Sequence, residues 1–180
     1  SCFDTKIDES VISTNSLHGK VIKFLYDNNL VSQTVLDKKI KSSLKEQGIS
    51  SVNIGNDVKK GGKSVGNYNR YPIGSTAFVD IGNVRYHFIA LSIIENNKNA
   101  KTSDQDYLIV LNAIVDNCFR NSNGNPIYLP LIGSGLSKLN YNHQQQLEFM
   151  VKYFMLRKTK LVSDVEIVIR KEDGDTISIL

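Results

Sequence analysis

Pro126-Ile-Tyr-Leu-Pro-Leu-Ile-Gly-Ser-Gly-Leu-Ser-Lys-Leu139 decides how this chain is read. Its apolar run, Ile127 to Ile132, predicts a buried strand that empties into Gly133-Ser134-Gly135, with a helix soon after. Glycines in such a loop let backbone N–H groups turn toward an anion, and a nearby helix N-terminus adds positive potential. A tight turn between strand and helix uses the same residues, so the segment alone leaves both readings open.

The helix that follows spans Asn142 to Leu156, with Leu147, Val151 and Phe154 on its buried face; a strand, Val165 to Ile169, comes next, and Thr176 to Leu180 reads as another after an Asp173-Gly174-Asp175 turn. Upstream, Ser103-Asp-Gln-Asp106 has the form of a capping box with Asp in place of Glu or Gln. It opens a helix that carries Leu108, Leu111, Ile114, Val115 and Phe119 inward and ends at Asn121-Ser-Asn-Gly124. Ser75 to Ile81 and Val84 to Leu91 are strand-like runs joined by Gly82-Asn83, which predicts a β-hairpin. Val21 to Tyr26 is a short helical stretch, and Thr34 to Gln47 a clearer helix with Leu36, Ile40 and Leu44 on one face and Gly48 as its stop. Gly55 to Arg70 and Glu95 to Thr102 read as polar loops. Strands alternating with helices predict an α/β fold, a mixed central sheet flanked by helices, in one domain over residues 1–180.

The bulk properties exclude whole classes. With 180 residues, 41% hydrophobic and 22% charged, the chain is long enough for a real core and is neither disordered nor a membrane bundle. A net charge of +4 suits an anionic ligand but is too weak to argue for nucleic acid. The two cysteines, Cys2 and Cys118, give neither a disulfide framework nor a zinc spacing, which favours a reducing, cytoplasmic setting. The abrupt opening at Ser1 reads as a piece of a longer chain.

Other motifs are weaker. Gly61-Gly62-Lys63-Ser64 has the end of a P-loop, but Asp57 stands where its first glycine belongs, and a basic surface loop explains it better. Lys59, Lys60 and Lys63 could attract an acidic surface without making a defined site. The three histidines are scattered: His18 sits in a polar turn before a helix, His87 lies half-buried on a strand, and His143 faces solvent at a helix start. None has metal-ligand spacing, so no metal and no cofactor is expected. Ser134 lies outside a Gly-x-Ser-x-Gly elbow.

Taken in order, these features resemble a macro domain, the three-layer module that binds ADP-ribose. A polar first loop, Ser13-Thr-Asn-Ser-Leu-His-Gly19, opens a helix. Tyr71-Pro-Ile-Gly-Ser-Thr-Ala77 leads into a strand, and Tyr86-His-Phe-Ile-Ala-Leu91 looks like the strand that follows it. Tyr128-Leu-Pro-Leu-Ile-Gly-Ser-Gly-Leu136 looks like the second loop, which wraps the diphosphate. More narrowly, Phe3-Asp4-Thr5, Ile12-Ser13, Asn15-Ser16-Leu17-His18-Gly19 and Leu131-Ile-Gly-Ser-Gly-Leu136 are similar to the divergent macro domains of Thoeris anti-phage effectors. The first loop departs from the family by keeping only Gly19 of its glycines, and the Asn-Ala-Ala-Asn motif of hydrolytic macro domains is not seen.

The resemblance implies a sensor rather than an enzyme. In that family a TIR-domain partner makes an ADP-ribose-derived signal from NAD, and in one branch, which places transmembrane helices before the macro domain, the signal is histidine-conjugated ADP-ribose. The ligand is then expected against Phe3, Asp4, Ser16, Leu17, His18, Gly19, Ser92, Ile132, Gly133, Ser134, Gly135 and Leu136, with Arg70 as the partner of a distal carboxylate. No nucleic acid is expected, membrane attachment would come only through a segment outside this chain, and self-association stays open. An ADP-ribosyl hydrolase using Asp4 or His18, and a generic ADP-ribose reader, remain the alternatives.

Overall fold

The computed structural model of the chain describes residues 3–8, 11–55, 65–94, 100–133, 141–158 and 161–178. The helices come first: α1 is Leu17–Asp27 and α2 is Gln33–Glu46. Two short strands, β1 Val52–Asn53 and β2 Asn69–Arg70, pair antiparallel across the stretch read as a loop. The expected hairpin follows as β3 Thr76–Ile81 and β4 Val84–Ile89, in register from Thr76 opposite Ile89 to Ile81 opposite Val84. Ile93–Ile94 (β5) pairs antiparallel with Ala100–Lys101 (β6), which replaces part of the second expected loop. Then come α3 Asp104–Ala113, a π turn Ile114–Cys118, α4 Phe119–Asn121, β7 Ile127–Pro130, α5 His143–Leu156 and β8 Val165–Val168. β7 and β8 are parallel. The result is the expected mixed α/β fold, with the described strands paired two by two.

The hairpin is the middle layer, and alternation makes it so. Successive side chains of a strand point to opposite faces. Ala77, Val79, Phe88 and Ala90 face a core that also holds Phe3, Ile12, Ile22, Leu36, Ile40 and Leu44. Ile89 and Leu91, the odd members of the same strand and its exit, pack against a second core built by α3, the π turn, β7 and α5. The Leu36, Ile40, Leu44 stripe of α2 is fully buried, as its spacing predicts. Each such side chain contributes about 1.5–3 kcal/mol through burial.

Four local expectations need correction. Leu108 is 41% exposed, because the inward face of α3 runs through Tyr107, Val110 and Leu111. Val151 is also 41% exposed, and the inner stripe of α5 is Gln146, Met150 and Phe154. Lys171–Thr176 form a 3₁₀ turn over the expected Asp173–Asp175 turn, and Thr176, Ile177 and Ser178 are not in the strand expected from Thr176, while 179 and 180 lie outside the described residues. The Asp173 carboxylate accepts from Arg170 Nε at 2.6 Å and Nη2 at 3.0 Å, which folds the turn on itself. Finally, His143 does not face open solvent: its Nδ1 lies 3.1 Å from the largely buried Asp173 carboxylate. The Ser103 capping box forms as read, with Asp106 accepting from the Ser103 N–H and the Ser103 hydroxyl accepting from the Asp106 N–H.

Candidate functional site

The first loop is built to present a helix end. Ser16 donates its N–H (3.1 Å) and its hydroxyl (2.8 Å) to the Ser13 carbonyl, and Asn15 N–H donates to Ser13 Oγ. This tight turn makes Ser16 the N-cap of α1, and its Oγ accepts the Gly19 N–H at 3.0 Å. The cap engages the third amide and leaves those of Leu17 and His18 as donors at the helix end. Gly19 therefore does not offer its own N–H to a ligand. Its role is steric: a Cβ there would stand 2.1 Å from the Ser13 carbonyl oxygen and 3.1 Å from Ile12 Cγ2. Only glycine lets the loop lie directly on the helix backbone.

His18 belongs to the first turn of α1 rather than to the turn before it. Its ring sits edge-on to Phe88, with centroids 5.7 Å apart, and its Nε2 lies 2.9 Å from the Asp4 carbonyl oxygen. A carbonyl only accepts, so Nε2 carries the proton. Burial holds the imidazole pKa below its usual value, with the Asp4 carbonyl and carboxylate pulling the other way. At neutral pH the ring is a neutral donor that ties segment 3–5 to the helix.

That segment is tied from a second side. Asp4 Oδ1 accepts the Asn67 N–H at 2.6 Å, and Asn67 Nδ2 donates to the Phe3 carbonyl at 3.2 Å. Tyr26 OH donates to the Thr5 carbonyl at 2.8 Å. Phe3 is buried edge-on against Tyr71 and holds a φ of 48°, in the left-handed region. A bulky residue there stores about 1–3 kcal/mol of strain, and such outliers gather at ligand sites. Beside it a pocket of about 240 Å³ opens between α2 and the β1–β2 pair, lined by Phe3, Asp37, Lys41, Asn53, Asn67 and Tyr71.

The second loop leaves the C-terminal end of β7, where Leu131 N–H still reaches the Val168 carbonyl at 3.2 Å. Leu131 and Ile132 are buried in the second core, and Gly133 turns the chain with a φ of 90°, which glycine adopts without strain. Ser134, Gly135 and Leu136 lie outside the described residues, as do Lys59, Lys60, Lys63 and the Gly61–Ser64 motif.

The structure thus gathers Phe3, Asp4, Ser16, Leu17, His18 and Gly19 into one bonded group. Ile132 and Gly133 belong to the other core. The exit of β4 touches both, since Phe88 meets His18 and Leu91 packs on the cluster that holds Leu131 and Ile132. Ser92, half-buried, leaves the same exit. Arg70 sits on β2 opposite Val52. Sequence reasoning missed Asn67 as the residue that fastens Asp4, and Gln146 beneath the second loop. Gln146 had a signal: it stands four residues before Met150 on the inner stripe.

A mixed α/β fold with a core on each face of its β3–β4 hairpin, a capped helix end and a glycine turn fits a macro domain. Residues 1–170 match the family described as Thoeris protein ThsA, Macro domain, and the chain belongs to that family. It is 25% identical over 181 residues to Thoeris protein ThsA of Bacillus amyloliquefaciens (strain Y2), a match covering 98% of this chain and 57% of that protein. The chain therefore spans little more than half the length of that relative. Among the described residues no helix is long and apolar enough to cross a membrane.

Proposed function

We propose that this domain is a binding module for an ADP-ribose-derived nucleotide signal and acts as the sensor of an anti-phage effector. The observation that carries the reading is the end of α1, where the Ser16 cap and the Gly19 contact hold the Leu17 and His18 amides outward. Backbone amides at a helix N-terminus bind a diphosphate without a basic side chain, which suits a net charge of only +4. The second loop, from Ile132 through Gly133 to Ser134, Gly135 and Leu136, supplies the opposing amides. Phe3, Asp4 and Ser92 flank the ligand, and the pocket beside Phe3 offers aromatic and amide walls to one of its ends.

The hydrolytic alternative is the weaker one. Its candidate groups are occupied, with Asp4 accepting from Asn67 and the His18 ring donating to a backbone carbonyl.

The finer reading is that the signal is histidine-conjugated ADP-ribose made by a TIR-domain partner, within a membrane-anchored longer protein. NAD and the signal share a diphosphate, so discrimination must come from the distal end. Arg70 is the natural partner of the conjugate's carboxylate; Glu95 to Asn99, the other source of contacts, lies outside the described residues. Calorimetric titration of histidine-conjugated ADP-ribose, ADP-ribose and NAD at one salt concentration tests this. Affinities are expected to fall in that order, with little binding of NAD. Equal affinity for all three would leave a generic reader, and no binding by any would overturn the sensor reading.

A further inference from the structure

The inner stripe of α5 carries a glutamine where an apolar residue would complete the core. Gln146 is 2% exposed and shares the inner stripe of its helix with Met150 and Phe154. Burying an amide is costly unless its polar atoms are bonded. Its Nε2 donates to the Tyr141 carbonyl at 2.9 Å and faces the Gly133 carbonyl at 3.5 Å, the second a weak contact. Two carbonyl oxygens on one side fix the orientation of the amide, since an oxygen turned toward them would be repelled. Oε1 consequently points the other way, buried and with no partner among the described residues. Tyr141 is itself anchored, its hydroxyl donating to Asp104 Oδ2 at 3.1 Å at the start of α3.

A leucine or methionine would fill this space with no orphaned acceptor. What they could not do is hold residues 133 and 141, the two ends of the second loop, to one point. We propose that Gln146 is a positioning residue for the ligand site: its carboxamide holds the Gly133 and Tyr141 carbonyls to one point and so sets the distance between the two ends of the second loop. Gln146 acts through these two carbonyls and touches no ligand itself. The inference rests on the reading of the second loop as a diphosphate site.

The test uses the whole 180-residue chain with ADP-ribose as the probe and three variants: Gln146→Met, which keeps volume and removes both polar atoms; Gln146→Glu, which sets an oxygen against the two carbonyls; and Gln146→His, which keeps an N–H donor at similar reach. Calorimetry gives affinity, thermal melting gives stability, and hydrogen exchange reads the amides of residues 132–142. Gln146→Met is expected to melt at or above the wild-type temperature, to bind ADP-ribose at least tenfold more weakly, and to exchange faster only in that segment. Gln146→Glu should bind more weakly still, and Gln146→His should recover part of the affinity. Wild-type affinity and exchange in Gln146→Met would overturn the inference. So would equal loss in all three variants in step with melting temperature, the mark of a core defect. If Gln146→Met does not fold, Gln146→His against wild type decides by the same two readouts. If wild type binds neither ADP-ribose nor its histidine conjugate, the sensor reading fails, while segment exchange in the variants still accepts or rejects the role of Gln146.

Discussion

The two loops that flank the hairpin's end are held in opposite ways. The first is fixed by backbone lying on backbone: Ser13 rests on Gly19, and a serine side chain caps the helix it opens. The second is fastened from below by one buried amide that reaches both of its ends. The first loop is therefore part of the packing of its core, and its geometry and the stability of that core rise and fall together. The second enters its core through Leu131 and Ile132, and the positions past Gly133 are where binding should change apart from stability. Changes in the first loop should lower stability and binding together, and changes in the second should lower binding alone.

The largest effect tests the second loop. Gly135→Glu places a carboxylate in the segment assigned to the diphosphate and should weaken ADP-ribose binding by about 3 kcal/mol through steric loss and charge repulsion. Its melting temperature should not move. A folded variant with unchanged affinity would remove the second loop from the site.

Next is Gly19→Ala. A Cβ 2.1 Å from a backbone oxygen cannot be accommodated without displacing the loop. Urea unfolding should show a loss of about 2 kcal/mol, typical of overpacking, and ADP-ribose binding should fall in the same variant. Normal stability with lost binding would contradict the coupling claimed for this loop. Ser16→Ala should do the same on a smaller scale, costing about 1 kcal/mol for the missing cap, with a proportionate drop in affinity.

The smallest effect is one of pH. Burial pushes His87 down to about 4, with Arg85 adding to the shift, and burial lowers His18 as well. An unfolded histidine takes up its proton near pH 6.5. Between pH 6.5 and about 4 the unfolded chain thus binds protons that the folded chain refuses. Stability should be full above that window and decline as pH falls through it. Melting temperatures measured across it should slope less steeply in His87→Gln than in wild type.

Much of this was legible because it is local. The hairpin was readable from two apolar runs and a two-residue link, and the α3 cap from four residues. The first-loop residues were readable as a group for the same reason. What was missed depends on partners far along the chain. Leu108 and Val151 were assigned to the interior because they are apolar, yet the faces that pack are set by Tyr107 and Gln146, whose polar atoms disguised them. Gly19 was legible as a residue of the first loop, and only the approach of Ser13 reveals why it is glycine. Asn67 binds Asp4 across 63 positions of sequence, a distance no local pattern spans.

The alternation along β4 also bears on how the chain folds. One strand furnishes a wall to each core, with Phe88 and Ala90 on one face and Ile89 and Leu91 on the other. Neither half can close before the hairpin exists, and neither can open without stripping the other of a side. The hairpin is also the pairing with the shortest loop to close, so it is the natural nucleus. Two cores sharing one partition should melt as a single cooperative unit, and the expected outcome is one denaturation midpoint for probes placed in either.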